Sequence, residues 1–98
     1  MPAIMIVDVK EVWDKEAYAE YVRLVPQTVA KFGGRYLARG GAAENVAGDW
    51  IPGRVVLIEF DSKLQFDSWW NSPEYAAAKP LREKSARVDA IVVEGLSS

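Results

Sequence analysis

The chain has 98 residues, half of them apolar, 11% aromatic and 27% charged, which fits one globular domain over residues 1–98 and excludes a disordered chain. Twelve basic residues against fourteen acidic ones leave a net charge of -2. That balance lacks the basic excess of a nucleic-acid binder, and no apolar run approaches the ~20 residues of a membrane span. The absence of cysteine and histidine removes thiolate chemistry, Cys-based metal sites, the commonest general base and the usual proximal haem ligand.

Ala3–Val9 (AIMIVDV) is apolar on both parities until Asp8, the pattern of a strand buried on two faces. No basic stretch precedes its apolar part, so no export signal is expected and the expected location is the cytoplasm. Asp14 is a good N-cap, with Glu16 in the first helical turn. Lys15–Phe32 follows with helical spacing: Tyr18, Tyr21, Val22, Val25, Val29 and Phe32 share one face. Pro26 removes one backbone hydrogen bond inside this helix and predicts a kink. Gly33-Gly34 ends it, one glycine taking the left-handed cap conformation.

Arg35–Arg39 (RYLAR) reads as a second strand, interrupted at Gly40-Gly41 and resumed over Ala42–Ala47. Gly48–Gly53 (GDWIPG) is dense in turn formers and reads as a hairpin connection. Arg54–Phe60 (RVVLIEF) is the strongest strand in the chain. Ser62 caps a second helix carrying Leu64, Phe66, Trp69 and Trp70; Asn71-Ser72-Pro73 breaks it, and Glu74–Arg87 continues it with Pro80 inside. Ala90–Val93 is the last strand.

The order β-α-β-β-α-β is the ferredoxin-like α+β arrangement, a four-stranded antiparallel sheet with two helices on one face. Its other face would be wet in a monomer, and the strands would then alternate apolar and polar residues. They do not: Val55 and Leu57, like Val56, Ile58 and Phe60, are apolar, and so are both parities of the first and last strands. Each exposed Val or Ile forgoes about 1.5–3 kcal/mol, so the expected cover is a second copy, packed sheet to sheet about a two-fold axis.

The stretches Tyr18–Leu24, Lys31–Gly41, Gly48–Trp50, Val56–Phe60 and Asn71–Tyr75, with Lys79-Pro80-Leu81-Arg82, resemble one family. It is the domain-of-unknown-function family thirteen-thirty, within the dimeric α/β-barrel superfamily. The resemblance runs from Ile4 to Gly95 and contains no catalytic signature. It implies a ferredoxin-like subunit and a homodimer whose two sheets form a barrel. The wider superfamily includes cofactor-free monooxygenases, lactone isomerases, haem-degrading enzymes, haem peroxidases and effector domains of transcription regulators. The haem members mostly use a histidine ligand, which this chain lacks.

Such a subunit can enclose a mostly apolar cavity between helices and sheet, with a few polar groups that orient a small organic ligand. The candidates are Arg39, Tyr21, Trp69, Asn71 and Tyr75. Arg39 ends a strand beside the glycine pair; it either binds a carboxylate or enolate oxygen, or forms an ion pair with Asp8, Glu59 or Glu94. Tyr21 either donates a proton from the cavity wall or fills the core. Trp69 and Trp70 point about 100° apart on a helix, so only one faces the sheet squarely. Asn71 and Tyr75 flank the helix break, where an asparagine also serves as a cap. No acidic cluster has metal-ligand spacing, and neither glycine pair fits a phosphate loop. The expectation is a homodimer that binds a small organic molecule and acts, if it is an enzyme, without metal or cofactor. The alternative is a non-catalytic assembly or regulatory module with a filled core.

Overall fold

A computed structural model describes residues 1–97. Its elements are β1 (Ala3–Val12), α1 (Lys15–Lys31), β2 (Arg35–Arg39), β3 (Arg54–Phe60), α2 (Lys63–Trp70), α3 (Pro73–Glu83) and β4 (Ala86–Glu94). The strands form one antiparallel sheet in the order β2-β3-β1-β4. This is the ferredoxin-like α+β fold, with three helices where two were expected.

The helices begin where hydroxyl or carboxylate caps are available. Asp14 accepts from the Ala17 N–H at 3.1 Å, Ser62 from Gln65 and Ser72 from Tyr75. Ser72 also donates to the Trp69 carbonyl at 2.7 Å, so one residue closes α2 and opens α3. This pair of hydrogen bonds explains the third helix. Gly33, at φ +77, ends α1 in the left-handed region where a side chain would be strained.

Register sorts the strand residues onto two faces. Met5 pairs with Ile58 and Val92, and Ala3 with Phe60. These positions meet Val25 and Val29 of α1, Phe66 and Trp69 of α2, and Tyr75 and Ala78 of α3 in the core. The opposite face carries Ile6, opposite Leu57 and Ile91, and Ile4, opposite Val93. Ile91 and Val93 are 63% and 46% exposed in the single subunit. The open apolar face that the strand parities predicted is therefore present.

Three boundaries differ from the sequence reading. Ala42–Ala47 forms no strand; Gly40–Gly53 is one irregular connection. It is tacked down by Asn45, whose Nδ2 donates to the Gly48 and Trp50 carbonyls, and by Asp8. The irregularity in β2 falls at Leu37, between Tyr36 and Ala38, rather than at Gly40-Gly41. The last helix stops at Glu83 instead of Arg87, because Ala86 and Arg87 pair with Val12 and Glu11 and extend β4 toward its N-terminus. Ser85 makes the corner: its carbonyl accepts from the Trp13 and Asp14 N–H groups, and its Oγ donates to the Leu81 carbonyl at 2.5 Å.

Candidate ligand-binding site

A cavity of about 70 Å³ lies between the sheet and the helices. Its floor is the core face of β1 and β3, with Met5, Val7, Val56 and Ile58, and Trp69 closes the inner end. Tyr18, Tyr21, Val22 and Val25 form the α1 wall, and Tyr36 and Arg39 of β2, Arg54 of β3 and Arg82 of α3 complete it. This volume is well below the few hundred Å³ usual for a small-molecule site. An engineered cavity of about 150 Å³ admits benzene, so the interior as it stands takes a chain or the edge of a ring.

Arg39 is at the site, and none of the ion pairs expected for it forms. Glu59 pairs with Arg35, and Asp8 pairs with Lys10 at 2.6 Å. The Arg39 guanidinium lies 4.7 Å from the Tyr36 ring centre, and its Nη2 donates to the Val22 carbonyl at 3.2 Å. That carbonyl is free because of Pro26. α1 continues through the proline, which has no N–H to give to the residue four positions back. The proline thus supplies an anchor for Arg39.

Tyr21 lines the cavity, and its hydroxyl meets that of Tyr75 at 3.0 Å. Tyr75 is buried just behind the wall, its ring centre 4.5 Å from that of Trp69 and 5.2 Å from that of Trp70. Burial pushes the Tyr21 phenol far above its ordinary value, and the neighbouring Tyr75 hydroxyl adds to the effect. Burial likewise raises Tyr18 and Tyr36. These hydroxyls stay protonated and act as donors, not as bases.

Trp69 is buried, its Nε1 donating to Thr28 Oγ1 at 3.0 Å, so it offers the cavity an apolar ring and no polar group. Trp70 is half-buried under Lys79, away from the cavity, so the tryptophans do not bracket a ligand. Asn71 is corrected: it is exposed at the end of α2, its Nδ2 donates to the Asp67 carbonyl at 2.9 Å, and it does not reach the cavity.

The sequence reading missed two of the cavity's residues, Arg54 and Arg82. Burial opposes the Arg82 charge, but the neighbouring Tyr75 and Tyr21 oxygens outweigh it and hold the guanidinium above its ordinary pKa. The lining holds no carboxylate, imidazole or thiol. Among the described residues no acidic cluster has the arrangement to hold a metal ion, and no helix is long and apolar enough to cross a membrane.

A family model described as a domain of unknown function, DUF1330, matches residues 2–96. The chain belongs to that family. Solved structures share the fold of this DUF1330 protein. A protein of unknown function from Rhodopseudomonas palustris is 22% identical, with TM-score 0.78 over 99% of this chain and 84% of that one. A dimeric ferredoxin-like protein of unknown function from Jannaschia is 11% identical, with TM-score 0.71 over 97% of this chain and all of that one. A candidate antibiotic biosynthesis monooxygenase from Nitrosomonas europaea is 16% identical, with TM-score 0.64 over 99% of this chain and all of that one. At these identities the likeness is one of fold. No curated protein matches the chain.

Proposed function

We propose that this DUF1330 protein is a homodimer, packed sheet to sheet, and that each subunit binds a small organic molecule in the cavity between α1, α3 and the sheet. The dimer is supported by the open face of Ile4, Ile6, Leu57, Ile91 and Val93. It is further supported by fold relatives from Jannaschia and Thermobifida fusca that are described as dimeric. The ligand reading rests on the cavity itself: an apolar floor ending on Trp69, walled by tyrosine hydroxyls and guanidinium groups.

The site is a set of donors. It can stabilise a developing oxyanion by a hydrogen bond from Tyr21, whose hydroxyl lies 3.0 Å from that of Tyr75. It has no side chain suited to removing a proton. A reaction here therefore starts from a molecule already anionic or easily oxidised. The fold relative named as a candidate monooxygenase makes oxygenation by molecular oxygen the reaction to test first. The small volume of the cavity favours the second reading, an assembly module whose core is simply filled.

A native mass spectrum of gently purified protein, followed by a denaturing one, separates these readings. Two chains plus a discrete extra mass, lost on denaturation, is the expected result. Two chains with no extra mass favours the assembly module. A stable single chain overturns the dimer.

A further inference from the structure

The cavity's charge is unbalanced. Three arginines line it and no acid does, in a chain whose acids outnumber its bases by fourteen to twelve. Among the described residues every ion pair lies elsewhere, with Lys10, Arg23, Lys31, Arg35 and Lys63 as the cations. Glu83 acts on Arg82 only at longer range.

Each guanidinium is instead positioned by neutral groups. Arg39 is held by the Val22 carbonyl that Pro26 leaves free and by the Tyr36 ring. Arg54 follows the core-face parity of Val56 and Ile58, and its side chain lies over Gly40, where a Cβ would stand 2.0 Å from Nε. Arg82 lines the cavity together with Tyr18 and Tyr21. Three like charges gathered at the edge of an apolar floor repel one another. An arrangement that orders them without neutralising them calls for an anion from outside.

Building on the ligand reading above, we infer that Arg39, Arg54 and Arg82 clamp the anionic group of a small organic carboxylate or enolate, whose apolar part enters the cavity toward Trp69. The exposed positions of Arg39 and Arg54 put the charge at the mouth, and the burial of Trp69 puts the apolar end inside. Planar guanidinium groups match a carboxylate in paired hydrogen bonds. The apolar floor directly behind the clamp selects an organic anion over an inorganic one. The narrow volume selects a chain over a ring.

The test is a chemical-shift titration of the intact protein with hexanoate, hexanamide and inorganic phosphate. Hexanoate should move cavity signals and bind about 10- to 100-fold tighter than hexanamide, the difference made by hydrogen bonds to a charged group. Phosphate, lacking the apolar part, should bind more weakly than hexanoate. Arg54→Gln and Arg39→Gln, both at exposed positions, should each cut hexanoate affinity several-fold and hexanamide affinity much less. A loss of structure would instead weaken both. Arg82→Gln should do the same, with Arg82→Lys restoring part of the preference. Equal binding of hexanoate and hexanamide overturns the anion clamp but leaves the small-molecule reading intact. Phosphate binding as tightly as hexanoate overturns the organic part of the assignment. No response at the cavity to any probe at millimolar concentration overturns both readings.

Discussion

Asp8 is the one carboxylate buried on the open face of the sheet among the described residues, and replacing it tests how the connection between β2 and β3 is held. Its Oδ2 accepts from Trp50 Nε1 at 2.7 Å and lies 2.6 Å from Lys10 Nζ, while its Oδ1 accepts from the Gly53 N–H at 2.8 Å. A hydrogen bond to a charged group contributes about 1.5–3 kcal/mol. Trp50 is 54% exposed, so its freed indole N–H regains water and the two losses do not simply add. Asp8→Ala should therefore cost about 2–4 kcal/mol, and Asp8→Asn, which keeps one acceptor, about half as much. Urea unfolding at one fixed protein concentration reads this as a midpoint lowered by about 1–3 M. A cycle with Trp50→Phe should show coupling of about 1–2 kcal/mol. The same carboxylate gives a pH signature. Burial works to raise its pKa, but the Lys10, Trp50 and Gly53 bonds outweigh burial and hold it below 3.8. The folded state thus binds the proton less readily than the unfolded chain. Asp8's contribution is complete at neutral pH and fades as pH falls below that ordinary value, through the lower folded one. Asp8→Asn should lack this part of the acid limb. If Asp8→Ala unfolds within about 0.5 kcal/mol of the parent, Asp8 does not hold the connection and the argument fails.

Gly40→Ala should cost about 1–2 kcal/mol in urea from the positive φ alone, and the displaced Arg54 should weaken hexanoate binding several-fold. Unchanged binding would detach Arg54 from the site. Spectrophotometric titration should find Tyr18, Tyr21 and Tyr36 still protonated above pH 10.0, their ordinary value. The folded chain then keeps protons that the unfolded chain releases, so stability should fall as pH rises beyond that point; these three titrating at the ordinary value would contradict their burial. Ile91→Glu places a charge on the open sheet face twice in a two-fold dimer, and size-exclusion chromatography should show single chains. A dimer that survives would move the interface elsewhere.

Much of the fold was legible because its signals are local. Asp14, Ser62 and the Ser72-Pro73 pair announce helix starts through their own side chains, and β3 is apolar at nearly every position. The errors fall where distant pairing decides. Ala86 and Arg87 read as a helical continuation, yet Val12 and Glu11 are available to pair with them, and the ladder prevails. Ala42–Ala47 has mild strand character and no neighbouring strand to bond, so it remains irregular.

The residues of the candidate site were partly legible for a different reason. Tyr21 and Trp69 sit on apolar helix faces, which marks them as inward-facing without saying whether they fill or line a space. Asn71 misled because a residue at a helix break has a cheaper use: its amide caps the Asp67 carbonyl. Arg54 and Arg82 left a signal that went unread. Arg54 shares parity with Val56, Ile58 and Phe60, and Arg82 follows buried Tyr75 and Ala78 at steps of three and four. A cation on a stripe that otherwise packs inward is either paired or aimed at a space. Pattern alone does not choose between them, because the choice depends on where the acids fold. Here Glu59 goes to Arg35 and Glu74 to Lys31, each drawn to a cation on the periphery. The cavity's arginines are left with carbonyl, ring and hydroxyl neighbours. That allocation of acids, visible only in three dimensions, leaves the three arginines without a carboxylate beside them in the cavity lining.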